Sequence, residues 1–298
     1  MISPLNSDLT RRHFLQSALY TAGATAVLGT TKLTAFDETA KPKIRFGLVT
    51  YMWGADWDLP TLLTNLKDSG LGGVELRTTH KHGVEPSLNA EERATVKQRF
   101  ADSGIIFVGP GSDERFDNPD PEVVKKAIAR TKEFLTLSHD LGGTGVKVKP
   151  DRFYDNVPRE KTIEQIGQSL NELGKFAADL GQKVRLEVHG QCSQLPTIRK
   201  IMDVADHKSV GICWNSNHPT DTEGEGLEAN FRLVRERFGQ TVHVRPLDDA
   251  VYPFAKLMQL LVDTKYEGWV LLEATNPPPD RVAGMRKQLE LFRHMTGQ

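Results

Sequence analysis

The chain has 298 residues, a formal net charge of −1, 38% hydrophobic residues and 26% charged residues. This composition is typical of soluble globular proteins. The near-neutral charge and the lack of a long Lys/Arg run argue against nucleic acid as a partner. Two cysteines, Cys192 and Cys213, are too few for a disulfide framework.

The N-terminal segment has the pattern of an export signal. Arg11 and Arg12 precede Phe14 and Leu15, and a weakly apolar stretch rich in Ala, Gly and Thr follows. This segment resembles a bacterial twin-arginine signal, which implies contact with the twin-arginine translocase and a periplasmic location. The apolar stretch is short for a membrane span, although an uncleaved anchor is the alternative. We assign residues 1–35 to the signal, 36–42 to a linker and 43–298 to one domain.

From residue 43 onward, short β-branched runs alternate with longer amphipathic stretches. The eight runs are IRFGLVTY, GVELRTT, IIFVGPG, GVKVKP, VRLEVHG, VGICWN, VHVRPLD and WVLLEAT. Eight βα units of this total length predict an α/β protein with a single (β/α)8 TIM barrel. The alternative is an open doubly wound sheet, but the segment TYMWGADWD after the first run is not a Gly-rich phosphate turn.

The alternation of side chains in each run predicts which of them point into the barrel. Apolar residues must face the helices, so the polar residues between them point inward. The inward set is Glu75 and Arg77, Lys147 and Lys149, Arg185, Glu187 and His189, Cys213, Asn215 and Asn217, His243 and Arg245, with Glu273 added by its position. Charged groups at the carboxyl ends of barrel strands indicate an active site. The alternative is an internal salt-bridge network that neutralises the glutamates.

Glu187, Asn215, His243 and Glu273 come from four consecutive strands and offer oxygen and imidazole ligands. This donor set suits a divalent ion such as Mn, Mg, Co or Zn. Two glutamates beside a metal-held sugar would allow one to remove a proton next to a carbonyl and the other to return it. The metal would stabilise the resulting enediolate. The sequence therefore predicts a sugar isomerase or epimerase with Glu187 and Glu273 as its catalytic pair.

The motifs GGVELRTTH, RLEVHG, CWNSNHP, VHVRPLDD and LLEAT, in this order, resemble the xylose-isomerase-like TIM barrels, the sugar phosphate isomerase/epimerase superfamily. The resemblance implies Glu187, Asn215, His243 and Glu273 as metal ligands, and His218 and Arg245 as substrate contacts. Asn215 departs from the family pattern, which has Asp there, so we expect weaker metal binding or a hydrogen bond to substrate.

Three inward residues are further candidates for substrate binding, namely Lys149, His189 and Glu75. For Lys149 a purely structural salt bridge is an equal alternative. Two other functions stay open: a keto-sugar or keto-inositol dehydratase, and a degenerate barrel that binds carbohydrate without catalysis. The sequence leaves the identity of the sugar and the assembly into a homo-oligomer undetermined.

Overall fold

Eight parallel strands close into a barrel in which each strand pairs with the next along the chain and β8 (Trp269–Leu272) pairs with β1 (Arg45–Val49). The other strands are β2 (Gly73–Arg77), β3 (Ile106–Arg115), β4 (Gly145–Lys149), β5 (Lys183–Glu187), β6 (Val210–Asn215) and β7 (Phe238–Val244). The computed structural model describes residues 44–298, and the predicted export signal and linker lie outside them. The predicted TIM barrel is confirmed.

One α-helix follows each strand and packs on the outside of the barrel. The helices are α1 (Leu59–Ser69), α2 (Ala90–Ser103), α3 (Pro121–Leu141), α4 (Arg159–Asp179), α5 (Leu195–Val204), α6 (Leu227–Val234), α7 (Phe254–Asp263) and α8 (Arg281–Thr296). Short 3-10 turns span Gly190–Cys192, Thr220–Thr222 and Arg235–Arg237. Among residues 44–298, no helix combines the length and apolar character needed to cross a membrane.

Local sequence signals set the ends of several helices. The Asp58 side chain accepts a hydrogen bond from the Thr61 amide at the start of α1, and Gly70 ends that helix in the left-handed conformation. At α2, Asn89 and Glu92 form a reciprocal capping box. These contacts satisfy backbone groups that the helix itself leaves unpaired, so the boundaries follow directly from the residue types.

The main apolar core lies between the barrel and its helices, as the alternation predicts. Val184 and Leu186 of β5 and Val146 and Val148 of β4 are all fully buried there. A second, smaller apolar cluster fills part of the barrel interior and consists of Val49, Val108, Trp269 and Leu271. The polar inward residues are thereby placed around a closed, packed interior instead of an open channel.

Two strands are longer than the sequence indicates. β3 continues past Gly111 to Arg115, and β7 begins at Phe238, before the run VHVRPLD. The added part of β3 is polar, and Gly111 and Arg115 register against Lys147 and Lys149 of β4. Pairing with a neighbouring strand therefore extends β3 where side-chain hydrophobicity provides no signal.

Candidate active site

Three predicted side chains meet at the carboxyl ends of their strands. Glu187 is the last residue of β5, His243 lies near the end of β7, and Glu273 directly follows β8. Each offers one ligand atom, and these atoms all lie within 4.8 Å of one another. Barrel closure thus brings side chains from the ends of β5, β7 and β8 together, and we call these three the glutamate–histidine cluster.

His243 occupies the centre of this arrangement. Its Nδ1 lies 3.3 Å from Oε2 of Glu273 and 3.7 Å from Oε1 of Glu187, and its Nε2 lies 3.2 Å from Oε1 of Glu75. The Glu75 and His243 side chains are fully buried. Glu75 therefore lies beside the far edge of the imidazole, while a contact between Glu75 and substrate stays a prediction.

Glu187 receives nitrogen donors at both of its carboxylate oxygens. The Lys147 ammonium lies 2.8 Å from Oε2, and Nδ2 of Asn215 donates a hydrogen bond to Oε1 at 3.0 Å. The side chains of Lys147 and Glu187 are both shielded from solvent. This pair is one part of the salt-bridge network that the sequence left open as an alternative, and it coexists with the glutamate–histidine cluster.

Glu273 is the member of the cluster nearest to solvent, with 11% of its side chain exposed. Its Oε1 lies 3.6 Å from Nη1 of Arg77, whose Nη2 donates to Oδ1 of Asp113. Lys149 Nζ donates to the same Asp113 oxygen at 2.9 Å. Lys149 therefore pairs with an aspartate at the barrel mouth, and its role in substrate binding stays a prediction.

The charges of the cluster shift the pKa values of its members. Burial opposes ionisation of Glu187, but the Lys147 ammonium and His243 hold its pKa well below the usual range. Burial likewise acts against the shift at Glu273, where His243 lowers the pKa. Burial would lower the pKa of His243, but Cys213 and the carboxylates of Glu75 and Glu273 raise it well above its ordinary value. Both glutamates are consequently ionised at neutral pH.

The two substrate contacts implied by the resemblance lie in the loops after β6 and β7. His218 is exposed, and Arg245 is partly exposed with its Nε 3.7 Å from Oδ2 of Asp249. No hydrogen bond or ion pair joins either side chain to the glutamate–histidine cluster within residues 44–298. Both residues lie in loops at the barrel mouth, and their contact with substrate stays a prediction.

His189 follows β5 and contacts a carboxylate at the rim. Its Nδ1 lies 2.5 Å from Oδ1 of Asp151, and Arg115 contacts the other oxygen of the same carboxylate. The side chain of His189 is 37% exposed. It therefore remains accessible to a ligand at the mouth, where its predicted role in substrate binding stays open.

Beside the mouth lies a cavity of about 500 Å³ bounded by the end of β3 and the start of α3. Its polar lining includes Asp113, which also pairs with Arg77 and Lys149 of the site. Other lining residues are Arg115, Asp117, Arg130, Arg152 and Tyr154. The cavity therefore adjoins the glutamate–histidine cluster through Asp113 and does not contain it.

A sequence profile described as the xylose isomerase-like TIM barrel matches residues 63–295. The match covers most of the chain and includes every member of the glutamate–histidine cluster. The chain belongs to the xylose isomerase-like TIM barrel family. The resemblance noted in the sequence is therefore confirmed at the level of the family, whereas the twin-arginine signal lies outside the matched residues.

Several solved structures share this xylose isomerase-like fold. A 3-keto-D-glucoside 4-epimerase from E. coli matches with a TM-score of 0.72 and 18% identity over 85% of this chain and 100% of that one. A D-allulose 3-epimerase from Methylomonas sp. has a TM-score of 0.73 and 16% identity over 86% and 98% of the two chains. No curated protein sequence shows significant similarity to this chain. Identities this low establish a common fold and nothing finer.

Two aspartates at the mouth of this xylose isomerase-like barrel were not predicted from the sequence. Asp113 bridges Arg77 and Lys149, and Asp151 contacts His189. Asp113 lies in the part of β3 that the sequence indicates as a loop, and Asp151 follows β4 with a positive φ of 61°. Charged residues directly after a β-branched run were the available signal, because that position is the carboxyl end of a barrel strand.

Cys213 points toward the site, as predicted, but is fully buried. Burial raises the pKa of its thiol, which favours the neutral, weakly reactive form of the sulfur. It contacts the peptide oxygen of Trp214 at 3.7 Å. Cys213 is therefore a small filler of the barrel interior in this member of the family.

The glutamate–histidine cluster fits a divalent ion by its donor set. Both ring nitrogens of His243 lack a hydrogen bond of good geometry among the described residues, and the same is true of Oε2 of Glu187. Two carboxylates and an imidazole suit Mn, Mg, Co or Zn. Asn215 lies beside this set, but its amide nitrogen is turned toward Glu187. Its predicted role as a fourth ligand would require the amide oxygen to face the ion.

Proposed function

We propose that this protein is a carbohydrate isomerase or epimerase that uses a divalent metal ion. The observation that carries the proposal is the convergence of Glu187, His243 and Glu273 within 4.8 Å at the carboxyl end of the barrel. Glu187, His243 and Glu273 would hold the ion, with Asn215 as a candidate fourth ligand. A bound ion would supply Lewis-acid polarisation of a sugar carbonyl and its neighbouring hydroxyl.

The chain's own residues would perform the proton transfer. Glu187 and Glu273 approach the same Nδ1 of His243, at 3.7 and 3.3 Å, so they flank the same small space. Both are ionised because His243 and the neighbouring cations lower their pKa values, and an ionised carboxylate can accept a proton from the carbon next to a carbonyl. The glutamate that accepted the proton, or the other glutamate of the pair, would then return a proton to a carbon or an oxygen of the sugar.

The names of structural relatives support the substrate class. Besides the two epimerases described above, an L-ribulose 3-epimerase matches with a TM-score of 0.70 and 16% identity over 84% of this chain and 96% of that one. All three act on sugars by their names, and the chain spans nearly their whole length. We infer a small carbohydrate as substrate from this agreement together with the two acid–base candidates.

Deuterium exchange tests the proposal whichever sugar the reaction forms. The protein is loaded with Mn²⁺ and incubated in D2O with a panel of ketoses, aldoses and 3-keto-glucosides, and NMR follows solvent deuterium entering the C–H next to the carbonyl. We expect exchange with at least one sugar. Glu187→Gln and Glu273→Gln should each lower its rate by about a hundredfold or more. Glu91→Gln, on the exposed face of α2, is the matched control and should not change the rate.

The same experiment separates the alternative functions. A dehydratase would release water, so its product would lack a hydroxyl and show new vinyl or methylene signals. A barrel that only binds carbohydrate would show sugar-dependent thermal stabilisation without exchange at any C–H. Either result, or normal exchange in both glutamine variants, would contradict the proposed function.

We further propose that the protein is exported to the periplasm by the twin-arginine translocase. The support is the sequence TRRHFL at residues 10–15 and the weakly apolar stretch after it. Cell fractionation of the host with a C-terminal tag tests this proposal. Arg11→Lys/Arg12→Lys should retain the protein in the cytoplasm, and Lys32→Arg is the control that leaves the arginine pair unchanged. Equal export of both variants would contradict the proposal.

A further inference from the structure

Lys147 places a fixed positive charge on a candidate metal ligand. It lies in the middle of β4, points into the barrel and is fully buried. Its Nζ lies 2.8 Å from Oε2 of Glu187 and donates to the carbonyl oxygen of Ser112 at 3.3 Å. The sequence predicts that Lys147 points into the barrel. Metal binding by Glu187 does not require a cation beside that carboxylate.

The second oxygen of Glu187 is also engaged by this chain. Nδ2 of Asn215 donates to Oε1 at 3.0 Å, and the amide nitrogen in that position presents positive partial charge to the carboxylate. Glu187 is therefore surrounded by nitrogen donors from β4 and β6. An incoming ion must share Glu187 with Lys147 or displace it, and a buried ammonium repels a neighbouring divalent ion strongly.

The charges around the site lead to the same conclusion. Glu75, Glu187 and Glu273 supply three negative charges, while Lys147 and Arg77 supply two positive charges within ion-pair distance of these side chains or of His243. Metal ligation requires a neutral imidazole, and in that state the group has one uncompensated negative charge, one fewer than is needed to balance a divalent ion. Without Lys147 it would have two, which would match the ion.

We propose that Lys147 is the residue that sets metal affinity at this site, acting as a resident cation that holds Glu187 in the metal-free protein. The inference rests on the metal site of the proposed function and adds a competitor from within the chain. Lys147 acts through Glu187 and is therefore a positioning residue. It makes metal binding weak and reversible. Asn215, which stands where the family pattern has an aspartate, also lowers the metal affinity.

Isothermal titration of the full chain with Mn²⁺ alone tests this inference. Lys147→Met keeps the length of the side chain and removes its charge, and we expect it to bind Mn²⁺ at least about tenfold more tightly than the parent protein. Lys149→Met is the matched control, because Lys149 lies on the same inward face of β4 but pairs with Asp113. Its affinity for Mn²⁺ should stay within about threefold of the parent value.

A second variant covers the case in which Lys147→Met does not fold without metal. Lys147→Gln retains a polar group for Ser112, and Mn²⁺ should raise its melting temperature by more than it raises that of the parent protein. If both variants bind Mn²⁺ no more tightly than the parent, or if Lys149→Met shows the same gain, the inference is wrong. These measurements use no sugar. If the variants show the expected order of Mn²⁺ affinity but the protein catalyses no deuterium exchange, only the proposed function is contradicted.

Discussion

Nε2 of His243 lies 3.2 Å from Oε1 of Glu75, and both side chains are fully buried. The carboxylate lies against the Nε2 edge of the ring, and Nδ1 faces Glu187 and Glu273 on the other side. A carboxylate behind a ligating imidazole usually increases the basicity of the ligand and fixes its tautomer. Glu75 therefore supports the glutamate–histidine cluster from the side that is away from solvent.

Replacement of Glu75 should weaken metal binding without changing any proposed ligand. We expect Glu75→Gln to lower the affinity for Mn²⁺ by about tenfold and Glu75→Leu to lower it further, because the imidazole loses its charged partner. Isothermal titration provides the measurement, and Glu91→Gln on α2 provides the exposed control. Parent-like affinity in Glu75→Leu would show that His243 does not depend on Glu75.

Removing one partner of the ion pair between Lys147 and Glu187 should destabilise the metal-free protein. Lys147→Met leaves a buried carboxylate without its partner, so we expect a loss of about 3–5 kcal/mol in the free energy of unfolding. The double variant Lys147→Met/Glu187→Leu removes both charges and should regain most of that loss. Urea unfolding in the presence of EDTA measures both effects, and additive losses in the double variant would contradict the coupling of the pair.

Asp221 should make stability depend on pH near neutrality. It is fully buried in the loop after β6, where its Oδ2 accepts hydrogen bonds from the Tyr252 hydroxyl at 2.6 Å and from the Asn217 amide at 3.0 Å. Burial raises the pKa of this carboxyl from 3.8 to about 7. The folded protein therefore retains a proton that the unfolded chain releases between these two values.

Because the folded state binds more protons than the unfolded state in this window, stability falls as pH rises from about 4 to about 7. The slope from Asp221 alone is at most about 1.4 kcal/mol per pH unit. Asp221→Asn keeps the oxygen that accepts both hydrogen bonds and removes the titration, so its unfolding free energy should show a smaller slope. Chemical unfolding at several pH values tests this, and equal slopes for the two proteins would contradict it.

Gly109 of β3 should tolerate no larger residue. Its φ is 150°, and an added Cβ would lie 2.0 Å from the carbonyl oxygen of Gly145 and 3.4 Å from Nη1 of Arg185. We expect Gly109→Ala to yield insoluble protein or to cost more than about 3 kcal/mol, because the neighbouring backbone cannot move away. Gly104→Ala is the matched control, since its φ is 73° and no atom lies within 4 Å of the added methyl group. That variant should lose only about 1 kcal/mol.

Much of the barrel and of the candidate site follows from local patterns. In VRLEVHG the apolar residues face the helices, so Glu187 had to point inward, and Asp58 and Gly70 set the ends of α1. The period of a strand is two residues and depends on no distant contact. For the same reason the orientation of His243 could be predicted, whereas Glu273 was an inward candidate only by its position, because both faces of its strand are apolar.

The partners of the inward residues could not be predicted in this way. Lys147 had Glu75 and Glu187 as candidate partners, and its pairing with Glu187 depends on the register in which Lys147 stands beside Arg185 of β5. The extension of β3 that carries Asp113 likewise depends on pairing with β4. Neither register can be predicted from the polarity pattern of a single strand.

The sequence by itself determined which side chains point into the barrel and at which end of it they collect, because alternation and chain order are local properties. Only the tertiary structure decided which charge meets which, since that depends on ångström-scale distances set by the closure of eight strands and the packing between them. The contact between the Lys147 ammonium and Glu187, which bears most directly on how this site would hold a metal, was decided by the tertiary structure.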